Sequence, residues 1–324
     1  MFALAERSLY VKALDLWVDS LQLRPRSYVS HGHSDHAREH DVVVATPNTA
    51  AICRARFRST RVRVRYEEHA FNEPWTQGEH RLTLFSAGHV LGSSQLLIEG
   101  ENGRFVYTGD FKLAPSLTVE PPEVKRCDVV LMECTYGRPH YVFPPREEVA
   151  ADMIAYARQA LEDGAVPVFY AYSLGKAQEA MAILGSAGIP LVVHGAIETL
   201  ARVYAECGVT LPPHARYDAD ALPEGAAIVW PPGGKALPRA LRGKKMRTAV
   251  LTGWSLDRNG FYRGIERGFP LSDHADYPAL LRYIELAQPR KVLLNHGWRD
   301  FAHRLRALGV EAEYLERHQQ LTLF

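Results

Sequence analysis

The sequence predicts an α/β protein in which one fold is interrupted by a second α/β unit. Three observations carry this. Short β-rich runs bounded by Gly, Pro, Asn or Asp fill the first part of the chain. After "TYGRPHYVFPP" the texture changes to helix and strand in alternation. The end of the chain returns to a compact helix–strand–helix–strand order. There is no internal repeat or low-complexity segment, so a middle insert within one larger fold accounts for all three.

In the first part, "DVVVAT" (41–46), "RLTLFSAGH" (81–89), "QLLIE" (95–99), "RFVYTGD" (104–110) and "CDVVLMECTYG" (127–137) read as strands. "REEVAADMIAYARQALEDG" (146–164) reads as an amphipathic helix, with acids in its first turn and Gly164 placed to end it. "AVPVFYAYS" is a buried strand, "LGKAQEAMAILGSAG" a helix and "PLVVHG" a strand, an interval that suits a parallel sheet. "AAIVW" and "TAVLTGW" add strands on either side of a "PPGG" loop. "YPALLRYIELAQP" is a helix opened by Asp276 and Pro278 and stopped before Pro289. "KVLLNHG", "WRDFAHRLRALG" and "VEAEYLE" are a strand, a helix and a last strand.

Length and composition bound the function. At 324 residues, 47% hydrophobic and 23% charged, the chain has an ordinary globular composition and room for two domains. With 38 basic against 37 acidic residues it is not a wholly basic nucleic-acid clamp, although local patches remain open. Cys53, Cys127, Cys134 and Cys207 form no CxxC, which argues against a disulfide framework and for a reducing compartment. "MFALAERSLYVKALD" carries Glu6, Arg7 and Lys12 and so lacks a signal peptide's unbroken apolar core. No run approaches the ~18 apolar residues of a membrane span. A soluble cytoplasmic protein without membrane contact is expected.

The chemistry concentrates in "YVSHGHSDHAREH" (28–40), where His31, His33, Asp35 and His36 follow a short apolar strand. Their spacing is not the i, i+4 spacing of a helical metal site. A loop leaving a strand can instead aim His31 and His33 at one ion and Asp35 and His36 at another, with Gly32 allowing a tight backbone. Imidazole and carboxylate donors suit Zn²⁺, Mn²⁺ or Fe²⁺ rather than Ca²⁺. The bland reading is a polar surface loop. One loop cannot complete two coordination shells. His89 in "FSAGHVLGSS", Asp110 in "VYTGDFK" and His296 in "LLNHGW" each sit at a strand end and supply the remainder. Taken singly, each could be a capped turn residue.

Positive charge is locally dense. "RARFRSTRVRVR" (54–65) holds six arginines, Arg61 and Arg63 among them, and "PRALRGKKMR" (238–247) has five cations. Phosphate binding is one use of such runs and a solvated face is the other. Lys176, at the start of a helix in "SLGKAQE", could hold a phosphate with help from Ser173. Tyr136, Trp230 and Trp254 could stack on unpaired bases, or could be core.

Taken in order, "SHGHSDH", "SAGHVLGS", "YTGDFK" and "LNHGW" resemble the two-metal form of the metallo-β-lactamase superfamily. "MECTYG", "YSLGKAQE" and "LSDHADY" resemble its β-CASP nuclease branch, and within it the bacterial ligase-associated DNA exonucleases, kin of Artemis-type and 3′-end processing factors. The resemblance runs from about Tyr28 to Gly297. It implies an αββα sandwich at 1–138 and 271–324 with an inserted α/β β-CASP domain at 139–270. Because the chain begins close to the histidine loop, a trimmed N-terminal sheet is expected.

By the same resemblance, His31, His33 and His89 hold one divalent ion, Zn or Mn, and Asp35, His36 and His296 hold the other. Asp110 bridges the two. His274 in "LSDHADY" protonates the leaving oxygen, and Glu133 in "MECTYG" fixes its tautomer. The alternatives are a buried acid satisfied by a turn for Glu133 and a helix-start residue for His274. Two such ions lower the pKa of shared water and stabilise both attacking and leaving oxygens in phosphodiester hydrolysis. The implied function is a DNA 5′ exonuclease in repair, associated with a DNA ligase and helicase. An RNA nuclease of the same fold is the first alternative, since these motifs do not separate DNA from RNA. A small-molecule metallo-hydrolase would not need Glu133, His274 or the insert. A non-catalytic scaffold would have lost ligands that are present here.

Overall fold

The structure is a computed structural model that describes residues 2–5, 8–57, 63–218, 223–232, 241, 243–257, 264–315 and 320–321. It separates into two compact units. One contains Met1–Val142 and His274–Phe324, the other Phe143–Asp273.

In chain order the first unit holds β1 Phe2–Ala5, β2 Ser8–Val11, β3 Leu16–Val18, β4 Arg26–Tyr28, β5 Val42–Ala45 and α1 Pro47–Arg56. It continues with β6 Arg65–Glu68, β7 Trp75–Gln77, β8 His80–Ser86, β9 Ser94–Gly100, β10 Gly103–Tyr107 and β11 Val129–Cys134. The second unit holds α2 Arg146–Glu162, β12 Val166–Tyr170, α3 Lys176–Ser186, β13 Leu191–Val193 and α4 Gly195–Glu206. It closes with β14 Ala215–Arg216, β15 Ala227–Trp230, β16 Met246–Leu251 and β17 Arg267–Phe269. The chain then re-enters the first unit as α5 Tyr277–Ala287, β18 Lys291–Gly297, α6 Asp300–Ala307, β19 Ala312–Tyr314 and β20 Gln320–Leu321.

The first unit contains two seven-stranded sheets, ordered β20-β1-β2-β3-β4-β5-β6 and β19-β18-β11-β10-β9-β8-β7. Their facing side chains form one core. Leu9, Val18, Tyr28 and Val44 of the first sheet pack with Leu84, Leu96, Phe105, Leu131 and Leu293 of the second. On the second sheet's other face, Val130, Met132 and Leu294 pack against Leu280 and Ile284 of α5 and Phe301 and Leu305 of α6. Val43 and Ala45 pack with Cys53 of α1. The layers are therefore helix, sheet, sheet, helix. β11 is buried throughout because successive residues face two different cores, which is why it reads as an unbroken apolar run.

Two expectations change. The N-terminal sheet is not trimmed: β1, β2 and β3 precede the histidine loop, and β20 pairs back onto β1. "TAVLTGW" does not continue as a strand to Trp254, because β16 ends at Leu251 and Gly253–Leu256 form a 3-10 turn capped by the Thr252 hydroxyl. Helix punctuation follows its local chemistry. Asp276 accepts a hydrogen bond from Ala279 N at 2.9 Å to open α5. After α2, Gly164 takes φ 66°.

The second unit is built on a six-stranded sheet in the order β14-β13-β15-β12-β16-β17, with every neighbouring pair parallel. Apolar residues of α2, α3 and α4 cover it, among them Met153, Met181 and Ile197. Among the described residues, no helix is long and apolar enough to cross a membrane.

Candidate metal centre

Four strand ends of the first unit bring the expected side chains to one edge. The loop after β4 carries His31, His33, Asp35 and His36. It turns on hydrogen bonds from His36 N and Ala37 N to His33 O, at 3.1 and 2.9 Å. Arg56, in the last turn of α1, donates to Gly32 O at 2.6 Å and holds the loop from the other side. The loop after β8 carries His89. Gly92 in that loop has φ +74°, and a Cβ there would lie 2.6 Å from Asn48 Cβ and from Thr49 N. Glycine is required, and the hydroxyls of Thr46 and Thr49 donate to its carbonyl at 2.6 and 2.8 Å.

Asp110 follows β10 and sits at the centre of the imidazoles. Its Oδ2 lies 3.3 Å from His36 Nε2, 3.6 Å from His31 Nε2 and 3.9 Å from His89 Nε2. His89 Nε2 is 3.0 Å from His33 Nδ1. The donor atoms of His31, His33 and His89 all lie within 4.8 Å of one another, as do those of His31, His36 and Asp110. A third such group, not anticipated from the sequence, joins His89, Asp110 and His274.

The electrostatics are those of a crowded, desolvated site. Burial first, and then the neighbouring imidazoles of His36 and His89, hold His31 well below the usual histidine range. His31 is thus kept neutral, the form that ligates metals. Burial also works to lower His36, but Asp110 and Asp19 outweigh it and raise it well above that range. Burial pushes the Asp110 carboxyl up, yet His36, His274 and His31 prevail and hold it well below the usual carboxylate range.

The sequence reading missed Asp19. It follows β3 with φ 45°, a left-handed conformation that Asp tolerates better than most residues. One carboxylate oxygen accepts from Ser30 N at 2.7 Å. The other accepts from Ser30 Oγ at 2.6 Å, from Tyr107 OH at 2.8 Å and from His36 Nδ1 at 2.7 Å. The bond to Nδ1 turns the Nε2 of His36 toward Asp110. Nothing in the sequence around "WVDSLQ" separates this aspartate from a turn residue.

Glu133, buried at the end of β11, lies 2.9 and 3.0 Å from His274 Nδ1 through its two oxygens. It also accepts from Phe111 N at 2.9 Å and from the Thr135 hydroxyl. His296 is the extra residue of a β-bulge. Glu133 pairs with Asn295 and Cys134 with Gly297, leaving His296 between them with φ 46°. It is exposed, and its ring centroid is 4.9 Å from that of His36. Asp35 is also exposed and joins none of the three donor groups.

The remaining expected residues divide. Arg61 lies outside the described residues. Arg63 is exposed, whereas Arg54 pairs with Glu68. Ser173 is half-buried, and its carbonyl accepts from Gln178 Nε2 at 3.0 Å. Lys176 is buried on Asp273 rather than presented to solvent. Tyr136 and Trp230 belong to cores, at 3% and 8% exposure, and Trp254 is 37% exposed.

Two buried ring nitrogens, His31 Nε2 and His36 Nε2, have no hydrogen-bond partner among the described residues. Orphaned imidazole nitrogens converging on a carboxylate suit a divalent cation. A site of this kind on an αββα sandwich defines a metallo-hydrolase. Residues 28–170 match the family described as Beta-lactamase superfamily domain, and residues 267–318 match the Zn-dependent metallo-hydrolase RNA specificity domain. The chain belongs to the metallo-β-lactamase superfamily, in its β-CASP nuclease branch. Members of this family use two divalent metal ions, typically zinc.

Among its relatives is a protein of Opitutus terrae named Probable DNA ligase, 40% identical over 323 residues, covering 97% of this chain and 31% of that protein. Another is Transcription termination factor FttA of Pyrococcus abyssi, 36% identical over 127 residues, covering 36% of this chain and 20% of that protein. The chain thus spans a third or less of the length of these curated relatives. The crystal structure of a protein of unknown function from Enterococcus faecalis shares the fold, with a TM-score of 0.63 at 16% identity over 91% of this chain and 80% of that one.

Proposed function

We propose that the protein is a two-metal nuclease that hydrolyses phosphodiester bonds of DNA, acting as a 5′ exonuclease in repair. The observation that carries the hydrolytic reading is the single oxygen Asp110 Oδ2, within 3.9 Å of the Nε2 atoms of His31, His36 and His89. In this reading His31, His33 and His89 would hold one cation and Asp35, His36 and His296 the other, with Asp110 serving as a ligand they share. When bound, the two ions supply a nucleophilic oxygen at neutral pH and offset charge on the phosphate. The proton that Asp110 and Asp19 stabilise on His36 is what a cation would replace.

His274 acts as the general acid. Glu133 holds its Nδ1, which fixes the tautomer and turns Nε2 toward the side where Asp110 and His89 lie. This pairing is what a lactone- or thioester-cleaving site does not need, and it favours a phosphodiester with a poorer leaving group.

Support for DNA comes from the relative named Probable DNA ligase, which aligns with nearly the whole chain. The 5′ polarity, the repair role and a working association with a ligase and a helicase rest on the resemblance of the motifs to ligase-associated exonucleases. RNA is the second reading, favoured by the match of residues 267–318 to a domain described by RNA specificity.

The test uses end-labelled single-stranded DNA and RNA of one sequence, with Mn²⁺ or Zn²⁺. A ladder growing from the 5′ end on DNA alone is expected. Cleavage of RNA alone would replace DNA by RNA in the proposal, and inertness toward both would end it.

A further inference from the structure

Two histidines of the first unit are held in the same way. His36 Nδ1 lies 2.7 Å from Asp19 Oδ2, and His274 Nδ1 lies 2.9 and 3.0 Å from the two oxygens of Glu133. The two carboxylate side chains are 6% and 1% exposed. A carboxylate on one ring nitrogen is the usual partner of an imidazole whose other nitrogen ligates a metal, because it fixes the tautomer and raises the basicity of the ligand. His36 is one of the proposed ligands. His274 shares its arrangement, although the proposed reaction uses it only as an acid.

His274 also has the neighbours of a ligand. The donor atoms of His89, Asp110 and His274 all lie within 4.8 Å of one another. His89 Nε2 is 3.9 Å from Asp110 Oδ2, and the ring centroids of His89 and His274 are 4.7 Å apart. Donors about 2 Å from a tetrahedral ion stand about 3.3 Å apart, so small side-chain movements close this group on one cation. The backbone fixes the spacing. Phe111, next to Asp110, donates its N to Glu133 at 2.9 Å, and its O accepts from Ala275 N, next to His274, at 2.7 Å. Because Glu133 engages Nδ1, the nitrogen that His274 offers is Nε2. Two imidazoles and a carboxylate make a donor set of the zinc type.

We propose that His89, Asp110 and His274 form an additional divalent-cation position, for Zn²⁺ or a similar ion, that competes with the position of His31, His33 and His89. His89 Nε2 has one lone pair and serves one ion at a time. The same holds for His274, whose Nε2 either carries a proton or binds a cation. Filling this position therefore removes the proton donor, and excess cation inhibits cleavage. Binding needs only the geometry, whereas inhibition rests on the general-acid role proposed above for His274.

The experiment titrates the full chain, labelled with ¹⁵N-histidine, with ¹¹³Cd²⁺ and no substrate. The ring signals of His274 are assigned by their loss in His274→Gln. Beyond the paired loading, His274 Nε2 is expected to take the shift of a coordinated nitrogen, with one-bond coupling to ¹¹³Cd. A nitrogen that shows neither shift nor coupling up to saturation would overturn the proposal. Glu133→Gln removes the charge that faces Nδ1. It should raise the Cd²⁺ concentration at half-occupancy of His274 by about ten- to a hundredfold, and an unmoved midpoint would count against the position. The parent protein decides alone if that variant does not fold.

A second measurement follows cleavage of 5′-labelled single-stranded DNA as Zn²⁺ rises. Cleavage should climb as the paired ions load and then fall by at least about tenfold, in step with the His274 signal. Mn²⁺, a weaker binder of imidazole, should need a higher concentration for the same fall. Cleavage that stays at its maximum while His274 holds a cation would overturn the inhibition. Because the nitrogen signal needs no substrate, failure of the nuclease reading, seen as parent protein inert on both nucleic acids at every loading, is told apart from failure of the cation position.

Discussion

The two ends of the histidine loop meet different surroundings. His31 is buried and His33 half-buried, and both face the buried His89 from another strand end. Asp35 and His296, expected to serve the second ion with His36, are both exposed. The fold therefore buries the donors proposed for one ion and leaves two of those proposed for the other at the surface. On the proposed assignment, ordered packing supplies the donors of the first ion, whereas the second ion would have to immobilise two surface side chains on loading. The two positions are thus expected to differ in affinity, the His31–His33–His89 side being the tighter.

Asp110 Oδ2 lies within 3.9 Å of His31, His36 and His89, so its removal tests the centre as a whole. Asp110→Ala should lose cleavage to below detection while circular dichroism and thermal melting show a folded chain, and retained cleavage would refute the shared-carboxylate geometry. The contrast itself is sharpened by His33→Ala against Asp35→Ala. Elemental analysis after dialysis against a graded chelator should show the His33 variant losing about a hundredfold in its tighter site and the Asp35 variant sparing it. Equal loss in the two variants would break the comparison.

Asp19 sits one bond further out. Asp19→Asn removes the charge that orients His36 and is expected to weaken metal retention or turnover by about ten- to a hundredfold. Metal titration would check it, with the loss falling on the weaker site.

His40 is the loop's counter-example, a histidine given to folding rather than chemistry. It is buried, its Nδ1 accepts from Arg24 N at 3.2 Å, and burial, with Arg24 and Arg38 adding to it, lowers its pKa to about 4. The unfolded chain, with an ordinary histidine near 6.5, takes up this proton first. Its contribution to stability is complete above about pH 6.5 and is lost as pH falls toward 4, to a depth of about 3 kcal/mol. The urea midpoint should therefore drop less between pH 7 and 5 in His40→Gln than in the parent, and equal drops would remove His40 from the account.

Much of this was legible before the fold. The strands of the first unit announce themselves because β11 and its neighbours are buried on both faces, so apolar runs mark them without help from periodicity. The metal-type residues are legible because each lies in a short motif at a strand end, a local signal. Convergence is not local. No spacing within "SHGHSDH" says that His31 turns inward while Asp35 stays at the surface, since a neighbouring strand end decides that. Asp19 and Lys176 both make contacts that their local sequence does not announce. By its local sequence Asp19 is a turn residue, yet it collects four hydrogen bonds from three residues. By its local sequence Lys176 reads as an anion binder, and its ammonium donates to Asp273 at 2.7 Å, 97 positions away.

The extra residue at His296 sets the fold and its chemistry in competition. Without it, β18 and β11 would pair uninterrupted from Lys291 onward, and a glycine in its place would relieve a left-handed backbone that disfavours side chains by about 1 kcal/mol. Selection for heat resistance alone would erase this imidazole. His296→Gly should melt no lower than the parent while cleaving more slowly, which would make position 296 a point where sturdiness has been traded for reactivity.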